Sequence, residues 1–402
     1  MFMSSLQSKR PGFAMPLVVL MIVILFAVGT GLLGLGYSSR ILAIQNVSDI
    51  QARSAADAGL AMAVFEMNEK LKVKPWDDST LPMATNVTVP NCDTVYSYRV
   101  TVDGGGVYTA ESTGSTHRAQ RTVAATLRLK SRFDFALFAK AGLGLKSSAI
   151  VDWYNYDEDD WDMQIGTNST VADTINLWGS STIKGDVIVG YGGHPDEVID
   201  IKDSATITGR TYASTQEHDM PPLTVPDWLQ VLPDGGTING NTTITDSGKY
   251  SAVDLKNGEK LTIDGDVTLY IVDGVTLGND AVLEIVDAAT NPNASLTLYV
   301  GGKFEGKNSS NVNNATADAK KLKIYGLDTC QDIWLKNSAD FYGAIYAPNA
   351  YVELNNSADF YGAVISDSFE QKNSAKFNYD ASLRDVGMDD EPDRFVVGRW
   401  RE

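Results

Sequence analysis

NSADFYGAIY, residues 337–346, returns as NSADFYGAVI at 356–365 and as NSAKFNYD at 373–380. The first two copies lie 19 residues apart and the third follows 17 later, a period of solenoid size. The match extends beyond the phrase. Ile333 and Leu335 align with Val352 and Leu354, Ala339 and Phe341 with Ala358 and Phe360, and Ile345 with Val364. Apolar positions alternate within each unit and coincide between units, so stacked units build a continuous apolar column. No single unit holds enough apolar surface to stand alone, which is why such repeats stack. No helix-period segment occurs among them, which excludes leucine-rich and helical solenoids. A parallel β-helix is therefore expected, with a β-sandwich as the alternative, although sandwich strands do not repeat nearly identically at one offset. Asn337, Asn356 and Asn373 fall at equivalent corners, where Asn tolerates the left-handed conformation and can ladder its amides. Phe341, Phe360 and Phe377 are expected to stack inside.

Weaker echoes run upstream: GSSTIKGDVIVG at 179–190, KDSATITGRTY at 202–212, IDGDVTLYIVDGVTLGNDAVLEI at 263–285 and LTLYVGG at 296–302. The β-helix is thus expected over residues 133–385, with 386–402 as a charged tail, capping or loose. Before it, TVYSYRVTV, GVYTAESTG and RTVAATLRL alternate as three strands joined by Gly-rich and Ser-Thr-Gly turns. They define a small antiparallel sheet within residues 74–132, enough to cover one side of a helix.

That helix is expected over residues 13–73. Residues 11–39 carry no charge, with Lys9 and Arg10 before them and Arg40 after. Roughly 20 apolar residues cross a bilayer core, and charge at that depth is costly. The run is about twice the 7–15-residue core of a cleaved secretory signal, and the basic pair ahead of it favours translocation of the body outward. Past Arg40 the apolar period continues through Ile41, Ile44, Val47, Ala52, Ala55, Leu60, Val64 and Leu71, until Pro75 stops it. The first half is apolar all round and the second is one-sided.

The chain has 402 residues, a net charge of −18 and 35 glycines. The acidic balance is the reverse of a nucleic-acid binder's footprint, and the glycine content suits a turn-rich β protein. Cys92 and Cys330 admit either one disulfide in an oxidising compartment or two unpaired thiols. His117, His194 and His218 are too scattered for a metal site.

The junction Lys9-Arg10-Pro11-Gly12-Phe13, followed by the apolar run, resembles the cleavage site of type IV prepilins. The resemblance implies a leader of residues 1–12, a cut between Gly12 and Phe13 by prepilin peptidase, and N-methylation of Phe13. Most pilins carry Glu at the fifth mature position, where this chain has Leu17. In that it is similar to the minor pilins and pseudopilins proposed for filament tips. The Ala-rich SAADAGLAMAVFEMN at 54–68 and the strands after it resemble PilX-type pilus-assembly proteins. FALFAKAGLGLKSSAIVD, MPPLTVP and FYGAIYAPNAYVELNNSADFYGAVIS look like the C-terminal domain found beside PilX-type N-termini, whose function is poorly defined.

Two sites carry chemistry worth weighing. Asp157, Asp159 and Asp160 sit in an acidic aromatic run, 152–162, where carboxylates could hold Ca²⁺ and the flanking Trp and Tyr could stack on sugars. The spacing does not match a calcium loop, and a solvated loop is the plainer reading. Asp340 and Asp359 fall one rung apart, a pair that could raise a carboxyl pKa for acid catalysis. Their column continues as Lys376, which reads instead as a charge-balanced ladder. No cofactor is expected, and the chain is read as no enzyme. The sequence therefore points to a pilin-like α+β domain followed by a parallel β-helix. The expected function is a membrane-anchored minor pilin-like structural protein of a type IV pilus or type II secretion filament, at low copy. Its expected partners are other pilins or pseudopilins through the helix, prepilin peptidase, the bilayer, and a glycan or surface ligand at the β-helix. The expected location is the bacterial inner membrane, single-pass with the body extracytoplasmic. An adhesin or scaffold outside any filament and a polysaccharide-active enzyme are the alternatives.

Overall fold

The computed structural model describes residues 14–73, 76–103, 106–156, 163–355, 358–384 and 394–401. The chain is mainly β with one long N-terminal helix, and it divides into two units. Residues 1–129 with 394–402 form the first, and 130–393 the second.

In the first unit, helix α1 (Ala14–Leu71) runs 58 residues, about 87 Å at 1.5 Å per residue. Its outer part buries Ala52, Ala55, Ala56, Leu60, Ala63 and Met67, spaced by three and four as one helical face requires. They pack on an antiparallel sheet of β1 (Met83–Thr88), β2 (Val95–Val102), β3 (Tyr108–Ser115) and β4 (Gln120–Lys130). Helix and sheet approach closely because side chains are small there. A Cβ on Gly114 would come 2.0 Å from the Ala52 carbonyl oxygen, and one on Gly59 2.3 Å from Ser112 Oγ.

A fifth strand, Arg394–Arg401, flanks β4 at the sheet's edge. Of the charged tail expected over 386–402, capping or loose, residues 394–401 form this strand. Asn68 fixes it: Nδ2 donates to the Phe395 carbonyl at 3.3 Å, and the Phe395 N–H donates to Oδ1 at 2.6 Å. Phe395 then packs with Tyr108 and Trp76 at centroid distances of 5.4 and 5.8 Å. Eight residues rich in arginine carry little apolar signal; one buried Phe and one Asn hold them.

The second unit is one 19-stranded sheet and a 4-stranded sheet, and every pairing described there is parallel. Phe341–Leu354 pairs with Phe360–Gln371 from Phe341↔Phe360 to Leu354↔Gln371. Inward positions build the core along such registers. One column reads Leu269, Leu298, Ile324, Ile345, Val364, Leu137, Ile165 and Val187, and all eight are fully buried or nearly so.

Spatial order is not sequence order. Leu137–Leu145, the first strand, lies beside Phe360–Gln371, and Ile150–Tyr154 beside Lys376–Asp380. From that junction the ladder advances through Gln164–Thr167 and Asp186–Val189 to Thr211–Ala213. The chain resumes at Thr237–Ile238, which pairs with Gly248–Leu255, and works back through Asp266–Leu277 to the junction. Residues 214–236 make the return. The His218 backbone N–H donates to Asn168 Oδ1 at 2.9 Å, Tyr346 OH donates to the Pro221 carbonyl at 2.8 Å, and Lys249 Nζ donates to the Gln230 carbonyl at 3.1 Å. Leu223, Val225 and Leu229 are buried beneath it.

Candidate functional site

Among the described residues, most of the exposed large apolar side chains stand on the first half of α1. Met15, Phe26 and Leu33 are 80, 74 and 75% exposed. The helix is long and apolar enough to cross a membrane by length and composition. Nothing lies within 4 Å of where Cβ atoms would stand on Gly29, Gly31, Gly34 and Gly36, so this length offers small residues for close approach. Thr30 hides its hydroxyl by bonding back to Phe26 and Ala27 carbonyls at 3.0 Å. Each large apolar side chain left in water forgoes about 1.5–3 kcal/mol. Lys9, Arg10, Gly12 and Phe13 lie outside the described residues.

In the second unit, Phe341, Phe360 and Phe377 are buried and stacked, with centroids 4.6 Å apart at each step and planes 13° from parallel. Asn337 does not adopt the left-handed conformation expected of its corner. The left-handed residues at that turn are Ser147, Gly179 and Asp203 on other rungs. Asn337 is instead buried at 1% exposure; its amide donates to the Val312 carbonyl at 3.0 Å and accepts the Val312 N–H at 3.3 Å. It satisfies backbone groups of a neighbouring rung, which a buried strand end requires. Asn373 is not left-handed either, and Asn356 lies outside the described residues.

Asp340 and Asp359 occupy successive rungs, and each has a backbone task. Asp340 Oδ1 accepts the Asp359 N–H at 3.1 Å, and Asp359 Oδ1 accepts the Lys376 N–H at 2.9 Å. Beside them Tyr342 and Tyr361 stack at 4.5 Å and 9°. Burial, then the neighbouring Tyr361 and Asp340, push the Tyr342 phenol up to about 12. Asp157, Asp159 and Asp160 lie outside the described residues, and among the described residues no group of three His, Cys, Asp or Glu is placed to hold a metal. Cys92 is exposed and Cys330 buried, both free; burial pushes the Cys330 thiol up to about 12.

A charge ladder went unread in the sequence. Glu353 and Glu370 face each other across one rung. Lys372 Nζ reaches Glu353 at 2.8 Å and Glu370 at 3.4 Å, Lys146 bridges to Glu370, and Tyr351 OH donates to Glu370 at 2.6 Å. Further along, Lys256 pairs with Asp254 and Lys202 with Asp200, both at 2.5 Å. Trp178 stands between Lys146 and Lys202, 5.0 and 5.2 Å from its ring. The available signal was an acid two residues before a lysine near a strand's end: DLK at 254–256, EQK at 370–372 and DIK at 200–202. Lys372 to Glu353 and Lys146 to Glu370 tie neighbouring rungs together, whereas Lys256–Asp254 and Lys202–Asp200 each lie within one rung.

Residues 210–386 match a family model described as a domain of unknown function, DUF7305. No curated protein matches the chain. Among solved structures, the competence-associated pilin ComZ from Thermus thermophilus is similar at 15% identity and a TM-score of 0.29, over 88% of this chain and 97% of that one. So slight a likeness assigns no function.

Proposed function

We propose that the chain is a membrane-anchored minor pilin-like structural protein of a type IV pilus or type II secretion filament. The observation that carries this reading is the division of α1: bare over its first half, packed beneath an antiparallel sheet over its second. A plain anchor needs the first half only, whereas a rod continuous with a head suits side-by-side packing of sister rods. The prepilin-like junction at Gly12 and Phe13 supports the same reading and implies processing by prepilin peptidase, and the Ala-rich stretch at 54–68 resembles PilX-type proteins. The body is then extracytoplasmic and the anchor sits in a bacterial inner membrane. Leu17, in place of the usual acid, favours low copy number near a tip.

The second unit is best read as a parallel β-helix displayed for adhesion or assembly, with a glycan or surface ligand as its partner. All-parallel pairing supports this, as does a small buried residue at one repeated corner: Ala149, Ser181, Ala205, Ala281 and Ser310. The role is structural, not catalytic, because Asp340 and Asp359 spend an oxygen each on the next rung.

Photo-crosslinking from Val23 and from Leu32 tests the filament claim. Adducts to pilin-type chains are expected; adducts to lipid alone at both positions would leave only an anchor.

A further inference from the structure

The two units differ in the sign of their charge. Without the leader pair Lys9 and Arg10, residues 13–129 and 394–402 hold 12 Lys and Arg against 10 Asp and Glu, whereas 130–393 hold 19 against 41. Such asymmetry between parts of one chain points the basic part toward an anionic surface. Within the first unit the basic groups gather at one end. Ser115 of β3 pairs with Gln120 of β4 across the turn 116–119, and Gly114 abuts Ala52, so this turn faces the apolar half of α1. Arg118 at its tip is exposed. Arg121 reaches Asp49 on α1 at 2.5 Å. The strand Arg394–Arg401 ends alongside, where Trp400 and Arg401 line one pocket with Arg53, Asp57 and Val123. Trp400 is 56% exposed.

We infer that this rim, Arg53, Arg118, Arg121, Trp400 and Arg401, rests on the anionic phospholipid headgroups of the bilayer that α1 crosses. The inference depends on the membrane reading of α1. Arg40 marks the end of the uncharged run, and Asp49 follows nine residues later, about 14 Å up the helix. Arg118 sits on the turn that begins two residues before Arg121, about 7 Å back toward the bilayer along an extended strand. That leaves it about one Debye length of 8 Å from the headgroup layer. An exposed Trp among arginines is the composition of a membrane–water interface. Asp49 does not cancel the rim. The Arg121–Asp49 pair is 55 and 44% exposed, weak enough for a phosphate to compete. Asp93 lies at the other edge of the same end, in the turn between β1 and β2.

The test uses the full chain in nanodiscs of phosphatidylcholine, alone or mixed with phosphatidylglycerol, read by backbone hydrogen exchange at 116–123 and 395–401. Exchange is expected to slow in the anionic discs by about fivefold per engaged arginine, and to recover in high salt. Arg118→Glu with Arg401→Glu should abolish the slowing, while exchange along Ala52–Met67 stays unchanged and reports an intact head. Equal exchange in both discs, or slowing that survives the charge reversal, overturns the rim. Failure of the chain to enter either disc overturns the membrane reading instead.

Discussion

Val364 pairs in register with Leu137, so the last long strand of the second unit lies directly beside its first. The unit therefore begins and finishes in the middle of its own ladder: its first stage runs outward from the junction and its second works back to it. Neither half can complete its inner column at the junction without the other.

Leu137 and Val364 are both fully buried. Leu137→Ala should cost about 2–5 kcal/mol, and pairing it with Val364→Ala should depart from additivity by about 0.5–3 kcal/mol. Urea unfolding of the two single variants and the double variant measures both. Strict additivity would contradict the contact across the junction.

Gly362 has φ of +151°, and a Cβ there would stand 1.7 Å from the Gly343 carbonyl oxygen. Gly362→Ala must break the pairing of Phe341–Leu354 with Phe360–Gln371, with strain of about 1–3 kcal/mol from the backbone alone and the clash added. Gly106→Ala, at φ of +78° but in open space, supplies the comparison and should cost about 1–2 kcal/mol. Thermal melts should rank them in that order.

The ladder was legible where its rungs repeat in words and dim where they repeat only in shape. FYGA marks Phe341–Ala344 and Phe360–Ala363, so these registers follow from alignment. At Ser147-Ser148-Ala149, Gly179-Ser180-Ser181 and Asp203-Ser204-Ala205 the same corner survives only as small residues ending in a buried one. The doubled-back order was not legible at all. Nothing in LFAKAGLGL says that its neighbour is FYGAVISDSFEQ, because parallel pairing is set by packing across distant chain segments. The corner asparagines misled for a similar reason: Asn337 looks inward to Val312, a partner on another rung.

Phe360 lies between Phe341 and Phe377 in the aromatic stack. Phe360→Ala should cost about 3–5 kcal/mol, and Phe360→Leu distinctly less because it keeps most of the volume. Equal costs would contradict this, since filled volume would then count for nothing beside ring stacking; a cost-free Phe360→Leu would reduce the stack to filler. Denaturant midpoints decide it.

Burial pushes the Glu370 carboxyl up, but hydrogen bonds from Lys146 and Tyr351 outweigh it and hold the group below its ordinary value. Its stabilisation is therefore present above the unfolded carboxylate pKa of about 4.3 and is lost as pH falls below that. Lys372 is raised by its bond to Glu353, so its contribution persists to about pH 10 and fades above. Glu370→Gln should flatten the acid limb of stability against pH between neutrality and pH 3. Parallel acid limbs in the two proteins would contradict the ladder's electrostatic role.

Mass spectrometry of the mature chain examines the leader. The expected N-terminus is methylated Phe13; a chain still beginning at Met1 removes the prepilin reading while leaving the fold intact.

The most direct measurement of the central claim is immunogold labelling of a tag placed after Glu402, in cells with and without prepilin peptidase. Gold along or at the ends of surface filaments, lost when the peptidase is deleted, is the expected result. Gold spread over the envelope in both strains, with none on filaments, would contradict it.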